Sequence, residues 1–129
     1  MPINIETIAD DLYLLRWEGN INLREIHDSH ETTSRLAAQA GIDSYIHILD
    51  LTSMKAFPFD PTGLLNILFG YPNVFAVLVV GGSLLARSAV RVLDGTSKQV
   101  AIKSCTDLAS AREDALALLA EKQQGILEQ

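Results

Sequence analysis

Residues 45–64 read Y-I-H-I-L-D-L-T-S-M-K-A-F-P-F-D-P-T-G-L. The first seven, Tyr45 to Leu51, are nearly all apolar. That predicts a central strand covered on both faces. A short loop follows, and then Asp60-Pro61-Thr62-Gly63 opens a helix. The Asp60 carboxylate can accept from the unpaired N–H groups of a first helical turn, and Pro61 has no N–H to leave unpaired there. The order strand, loop, helix sets the Thr62 hydroxyl at a helix N-terminus beside the carboxyl end of a strand. In open α/β sheets, ligands, phosphates and partners dock at that edge.

Working outward, Ile3 to Ile8 alternates apolar and polar residues, as a half-exposed strand does. Ala9-Asp10-Asp11 reads as a turn, Leu12 to Glu18 as the returning strand of a hairpin, and Gly19-Asn20 as its end. Asn22 with Glu25 three residues later forms a capping-box pattern. From there Leu23, Ile26, Thr33, Leu36, Ala37 and Ala40 fall on one helical face, interrupted by His30, and Gly41 closes the helix.

Past the central segment, the second helix runs to about Phe69 and stops at Gly70-Tyr71-Pro72-Asn73. Val74 to Val80 is a second buried strand, expected to lie parallel to the first. Ser83 caps a helix through about Leu93, and Asp94-Gly95-Thr96-Ser97 is a turn. Gln99 to Ser104 is the last strand. Asp107 caps a final helix with the stripe Leu108, Ala111, Ala115, Leu118 and Leu119. The predicted order is β-β-α-β-α-β-α-β-α: an α/β fold with an opening hairpin, then alternation, giving a mixed sheet flanked by helices.

The 129 residues fit one domain spanning 1–129, and no linker-like stretch or repeat divides them. A formal net charge of −6 argues against nucleic acid, whose phosphates repel such a chain, and against an anionic bilayer. The single cysteine, Cys105, excludes an internal disulfide and suits a reducing compartment. The longest apolar run, Val74 to Val80, is far short of a membrane span, and M-P-I-N-I-E-T lacks the basic and apolar parts of a signal peptide. A cytoplasmic protein is expected.

Leu49-Asp50-Leu51, followed by Asp60-Pro61-Thr62-Gly63-Leu64, resembles the STAS-domain pattern of Leu-Asp-Leu, loop, Asp-Ser-Ser-Gly-Leu. Glu18-Gly19 before the first helix is similar to that family, as are Val77-Leu78-Val79-Val80-Gly81 and the ending Asp107-Leu108 with Ala111 and Leu116. The resemblance covers most of the chain and is strongest to the small SpoIIAA-like, or STAS/SEC14-like, bacterial proteins. It implies a non-enzymatic regulatory or protein-interaction module, like the anti-sigma factor antagonists, with a kinase or an anti-sigma-like regulator as protein partner. In the signalling members the serine before the glycine is phosphorylated, and Thr62 stands at that position. Here Pro61 replaces the first serine, Thr62 the second, and Lys55 to Phe59 lengthens the loop. The SEC14-like side of the resemblance implies a second reading, a small apolar ligand or lipid held under the Phe57/Phe59 loop and the helix Leu64 to Phe69.

The interaction or ligand surface therefore comprises Phe57, Phe59, Asp60, Gly63, Leu64 and Phe69, with Thr62 as the modification point. Phe57, Phe59, Phe69, Tyr71 and Phe75 cluster around the loop and short helix; exposed, they form a patch of the kind that marks a partner site, and buried, they are core. Trp17 has the same two readings. His27 and His30, three apart with Asp28 and Glu31 beside them, have metal-ligand spacing but no third ligand fixed by sequence, so a solvated helix face is the plainer reading. Cys105 reads as an inert thiol, Ser83 after Gly81-Gly82 as a simple cap, and Arg87 with Arg91 as solvated surface. No nucleophile–base pair, paired carboxylates or metal motif points to catalysis, and no cofactor is implied. A symmetric homodimer is the expected oligomer, if one forms.

Overall fold

A computed structural model of the chain describes residues 2–56, 60–82, 84–96 and 100–127. Among the described residues, nine elements follow the predicted order: β1 (Ile3–Ala9), β2 (Leu12–Asn20), α1 (Leu23–Gln39), β3 (Tyr45–Ala56), α2 (Pro61–Gly70), β4 (Val74–Val80), α3 (Leu84–Thr96), β5 (Ala101–Cys105) and α4 (Leu108–Leu127). They build one five-stranded sheet in the order β1-β2-β3-β4-β5. The β1–β2 pair is antiparallel, and the β2–β3, β3–β4 and β4–β5 pairs are parallel.

The topology dictates where the helices lie. From β2 to β5 the chain steps across the sheet in one direction. Right-handed crossovers made in one direction put all their helices on one face. Hence α1, α2 and α3 cover one side, and α4, which follows the last strand, covers the other. The side-chain alternation of β3 shows both: Tyr45 and Leu51 join the core under α1–α3, while Ile46 and Ile48 join the core under α4. Ala111 and Ala115 of α4 are fully buried there, with Leu108, Leu118 and Leu119 partly buried beside them, as the predicted stripe requires.

The caps form as the sequence dictates. Asn22 Oδ1 accepts from Glu25 N at 2.9 Å, and Glu25 Oε1 accepts from Asn22 N at 3.3 Å. At the far end of α1, Gly41 adopts φ +73°, Gly41 N donates to Ala38 O, and Ile42 N donates to Ala37 O. This paired closure needs a left-handed residue, which glycine supplies without strain.

Several boundaries differ from expectation. β2 does not stop at Gly19-Asn20; it passes through both, with a register shift between them. β3 continues past Leu51 to Ala56, because Ser53, Met54 and Ala56 still pair with Glu18, Gly19 and Asn20. Lys55 and Ala56 are therefore strand, not loop. α3 runs on through Asp94, Gly95 and Thr96. There Asp94 Oδ1 accepts from Ile102 N at 3.2 Å, tying the end of the helix to β5. β5 spans Ala101–Cys105, and Ser83 and Gln99 lie outside the described residues.

The stripe on α1 also needs correcting. Leu36 and Ala40 are exposed, whereas His30 does not interrupt the buried face but belongs to it, with Ile26, Ser29, Thr33 and Ala37. The buried face runs along Ile26, His30, Thr33 and Ala37, spaced four, three and four apart, and Leu36 lies off that line.

Candidate functional site

The carboxyl ends of β2 and β3 and the N-termini of α1 and α2 meet along one edge of the sheet. At the end of β3, Asp50 is 8% exposed. Its Oδ1 accepts from Thr52 N at 3.0 Å and from Thr52 Oγ1 at 2.6 Å, and its Oδ2 lies 3.8 Å from Arg16 Nε. The aspartate of the Leu-Asp-Leu segment thus pins the strand where it outruns its neighbour β4. Gly81, just past β4, sits against this corner at φ +76°, and a Cβ there would lie 2.7 Å from Thr52 Cγ2.

Asp60 caps α2 as predicted, its Oδ1 accepting from Gly63 N at 3.0 Å, with Pro61 in the first turn. Gly63 is wedged between this cap and α1. A Cβ on it would meet Asp60 Oδ2 at 2.7 Å and Leu23 Cδ1 at 2.8 Å. Thr62, one residue earlier, is exposed. Leu64 and Leu68 are buried against the sheet side, and Phe69 is 48% exposed on the outer side. Asp60, Thr62 and Gly63 therefore lie together at the start of α2, with Leu64 beneath them and Phe69 two turns away. Phe57 and Phe59 lie outside the described residues.

The remaining aromatics do not form the expected cluster. Phe75 is the extra residue where the β3–β4 register shifts between Tyr45 and Ile46, and it packs on the α4 side with Lys122 Nζ 4.2 Å from its ring centroid. Trp17 is core, at 3% exposed. Tyr71 stacks on His30, the centroids 5.4 Å apart at 30°.

That stack leads to a feature the sequence did not announce. His30 and His47 are buried side by side under α1, at 5% and 0% exposed, with centroids 4.6 Å apart. Tyr13 and Tyr45 pack around His47 at 6.4 and 5.6 Å. His47 Nε2 lies 2.8 Å from Thr33 Oγ1, and both Nδ1 atoms are buried with no hydrogen-bond partner among the described residues. Burial disfavours the charged ring, and each histidine disfavours charge on its neighbourhood. His30 is lowered to about 4 by burial and then by nearby His27. His47 falls well below the ordinary value by burial and then by His30. Both are neutral at neutral pH.

His30 thus turns inward, away from exposed His27, and the two cannot share a metal. His27, Asp28 and Glu31 remain a surface group, their ligand atoms within 4.8 Å of one another. Tyr71 Oη lies 3.2 Å from His27 Nε2. Cys105 is half-buried, its Sγ 3.7 Å from Asp114 Oδ2, and burial followed by that carboxylate raises its pKa. An electronegative, sheltered thiol is a poor nucleophile. Arg87 and Arg91 are exposed.

Solved structures resemble this fold. An uncharacterized DUF3478-family protein from Shewanella loihica PV-4, with a SpoIIAA-like fold, is 23% identical over 91% of each chain, with a TM-score of 0.55. The anti-sigma factor antagonist SpoIIAA in its unphosphorylated form matches 89% of this chain and 97% of its own, at 8% identity and a TM-score of 0.60. The chain has the SpoIIAA-like fold. The phosphorylated form of the Bacillus cell-fate determinant SpoIIAA matches 86% of this chain and 97% of its own, at 12% identity and a TM-score of 0.54. No protein-family model and no curated protein matches the sequence.

Within the SpoIIAA-like fold, the start of α2 was legible because cap, proline and glycine are local signals. The histidine pair was not, because it joins positions 30 and 47 across a helix and a strand. The one available clue was that His30 falls on the line through Ile26, Thr33 and Ala37. Among the described residues, no helix is long and apolar enough to cross a membrane.

Proposed function

We propose that residues 1–129 act as one STAS-like regulatory domain, cytoplasmic and non-catalytic, working through protein contacts at the start of α2, with Thr62 as its switch. The observation that carries this reading is the setting of Thr62: exposed, in the first turn of α2, between the Asp60 cap and a glycine that has no room for a side chain. A phosphoryl group there is a dianion at the positive end of a helix, where backbone N–H groups attract it. It also stands beside the Asp60 carboxylate and repels it. Modification would therefore redraw the charge of the edge while leaving the sheet untouched. A kinase or an anti-sigma-like regulator is the partner class, and a homodimer is the resting assembly.

The test is capture of partners from the native host with the parent chain, Thr62→Ala and Thr62→Asp, alongside intact-mass measurement of the purified protein. The reading expects a phosphoryl increment on the Thr62 peptide and loss of a partner with Thr62→Asp but not Thr62→Ala. Equal capture by both variants defeats it.

The alternative, a small apolar-ligand protein of the STAS/SEC14-like type, is favoured by one observation of its own. An apolar cavity lies between α2 and the sheet, lined by Leu64 and Leu68 among others. Organic extraction of protein from several expression hosts tests it, and consistently clean extracts would count against it.

A further inference from the structure

β1 is one edge of the sheet, and among the described residues no strand pairs with its outer side. An open edge is a row of unpaired N–H and C=O groups, and proteins blunt an unused one with lysine, proline or shortness. The far edge, β5, is blunted in this way: it has five residues, with Lys103 in the middle. β1 has seven residues and no lysine, arginine or proline. It pairs with β2 in unbroken register from Ile3 to Thr7. Asn4, Glu6 and Thr7 are exposed, and Ile5 is half-buried.

The bonds to β2 decide which groups β1 presents. Glu18 N donates to Pro2 O at 2.7 Å, and Pro2 lies opposite Glu18 in the register that sets Ile3 opposite Trp17. Opposite residues of an antiparallel ladder alternate between bonded and non-bonded pairs. Pro2 and Glu18 are a bonded pair, so Asn4 and Glu6 also turn their backbone groups to β2. Ile3, Ile5 and Thr7 turn theirs outward. Side chains separate by face: Ile3 and Ile5 join the core under α1–α3, whereas Glu6 lies with Leu14 and Arg16 on the α4 face.

We propose that two copies of this chain join through β1, edge to edge and antiparallel about a two-fold axis, with Ile5 opposite the partner's Ile5. The register follows from what each choice leaves unmet. With Ile5 on the axis, Ile3 meets the partner's Thr7, and the outward groups of Ile3, Ile5 and Thr7 are all paired. An axis at Glu6 sets the two Glu6 carboxylates opposite each other, and like charges directly opposite are destabilising. An axis at Asn4 leaves Thr7 unpaired. On the Ile5 axis Glu6 faces the partner's Asn4, whose amide can donate to the carboxylate. On the other face Ile5, which lies opposite Leu15 in the β1–β2 register, continues one apolar row into the partner. The edge is thus complementary to itself, as a two-fold contact requires. The proposal rests on the homodimer of the reading above, gives it an interface, and uses no residue of α2.

The experiment is sedimentation equilibrium of the full chain over a range of concentrations, with amide exchange followed by NMR at the lowest and highest. The mass should rise from 14.1 kDa toward twice that value. Exchange at Ile3, Ile5 and Thr7 should slow as the dimer forms, while Asn4 and Glu6, already bonded to β2, change little. Asn4→Glu places like charges opposite each other at both symmetry-related positions and should weaken association roughly tenfold. Adding Glu6→Asn restores the complementary pair in swapped order and should recover it. Both side chains are exposed, so neither change disturbs the fold. A dimer that Asn4→Glu leaves equally tight, or that forms without slowing exchange at Ile5, would overturn this interface and leave the homodimer standing. A double variant as weak as Asn4→Glu would overturn the register. A chain that stays at 14.1 kDa throughout would overturn both interface and homodimer.

Discussion

His30 and His47 make the folded chain sensitive to acid, and the sign follows from their burial. In the unfolded chain a histidine takes up its proton near pH 6.5. In the folded chain His30 does so only near 4, and His47 is lowered well below its ordinary value. Between those limits the unfolded state binds more protons, so stability rises with pH there. The contribution is full above about pH 6.5 and is lost as the pH falls toward 4. For His30 the shift is worth roughly 3 kcal/mol at most, since one pK unit is about 1.4 kcal/mol. The two rings touch, so their effects do not add simply. Urea denaturation at pH 7, 5.5 and 4.5 should show this loss, and His30→Phe should flatten the profile. A parent chain equally stable at pH 7 and 4.5 would mean that burial does not hold His30 neutral.

At the scale of elements, α2 is fixed by its first turn more than by its length. Its inner residues Leu64 and Leu68 reach the core, yet a cavity lies beneath them, and Phe69 faces out. What locates the helix is the Asp60 cap on Gly63 N and the close approach of Gly63 to Leu23. Replacing an N-cap aspartate by alanine costs about 1 kcal/mol. Thr62 is exposed, and removing such a side chain changes stability by less than about 0.5 kcal/mol. Asp60→Ala should therefore lower the urea midpoint clearly while Thr62→Ala leaves it in place. That contrast separates two explanations of a Thr62 phenotype, lost contact and lost fold. A Thr62→Ala variant as unstable as Asp60→Ala would make Thr62 a structural residue and weaken its assignment as a switch.

For the whole molecule, the order of elements and the two-sided core were legible because periodicity, caps and turn residues are local and agree with one another. What escaped the sequence was set by pairing between distant segments. β3 extends to Ala56 because β2 extends to meet it, and His30 becomes core because His47 lies across from it. The candidate site divides in the same way: Asp60, Thr62 and Gly63 could be read from the chain, whereas the cavity and the buried His30 required the sheet. The assembled fold also ranks its parts by stability. β3 and β4 are central strands, paired on both edges and covered on both faces, so their amides should exchange only on global unfolding. α2 rests over the cavity and exposes its outer side, and it should open at a lower free energy than the sheet. Hydrogen exchange followed by mass spectrometry should show deuterium entering residues 61–70 well before 45–51 and 74–80. Uptake by α2 as slow as that of the central strands would make it part of the rigid core, leaving its exposed outer side, and no motion of the helix, as the means of recognition.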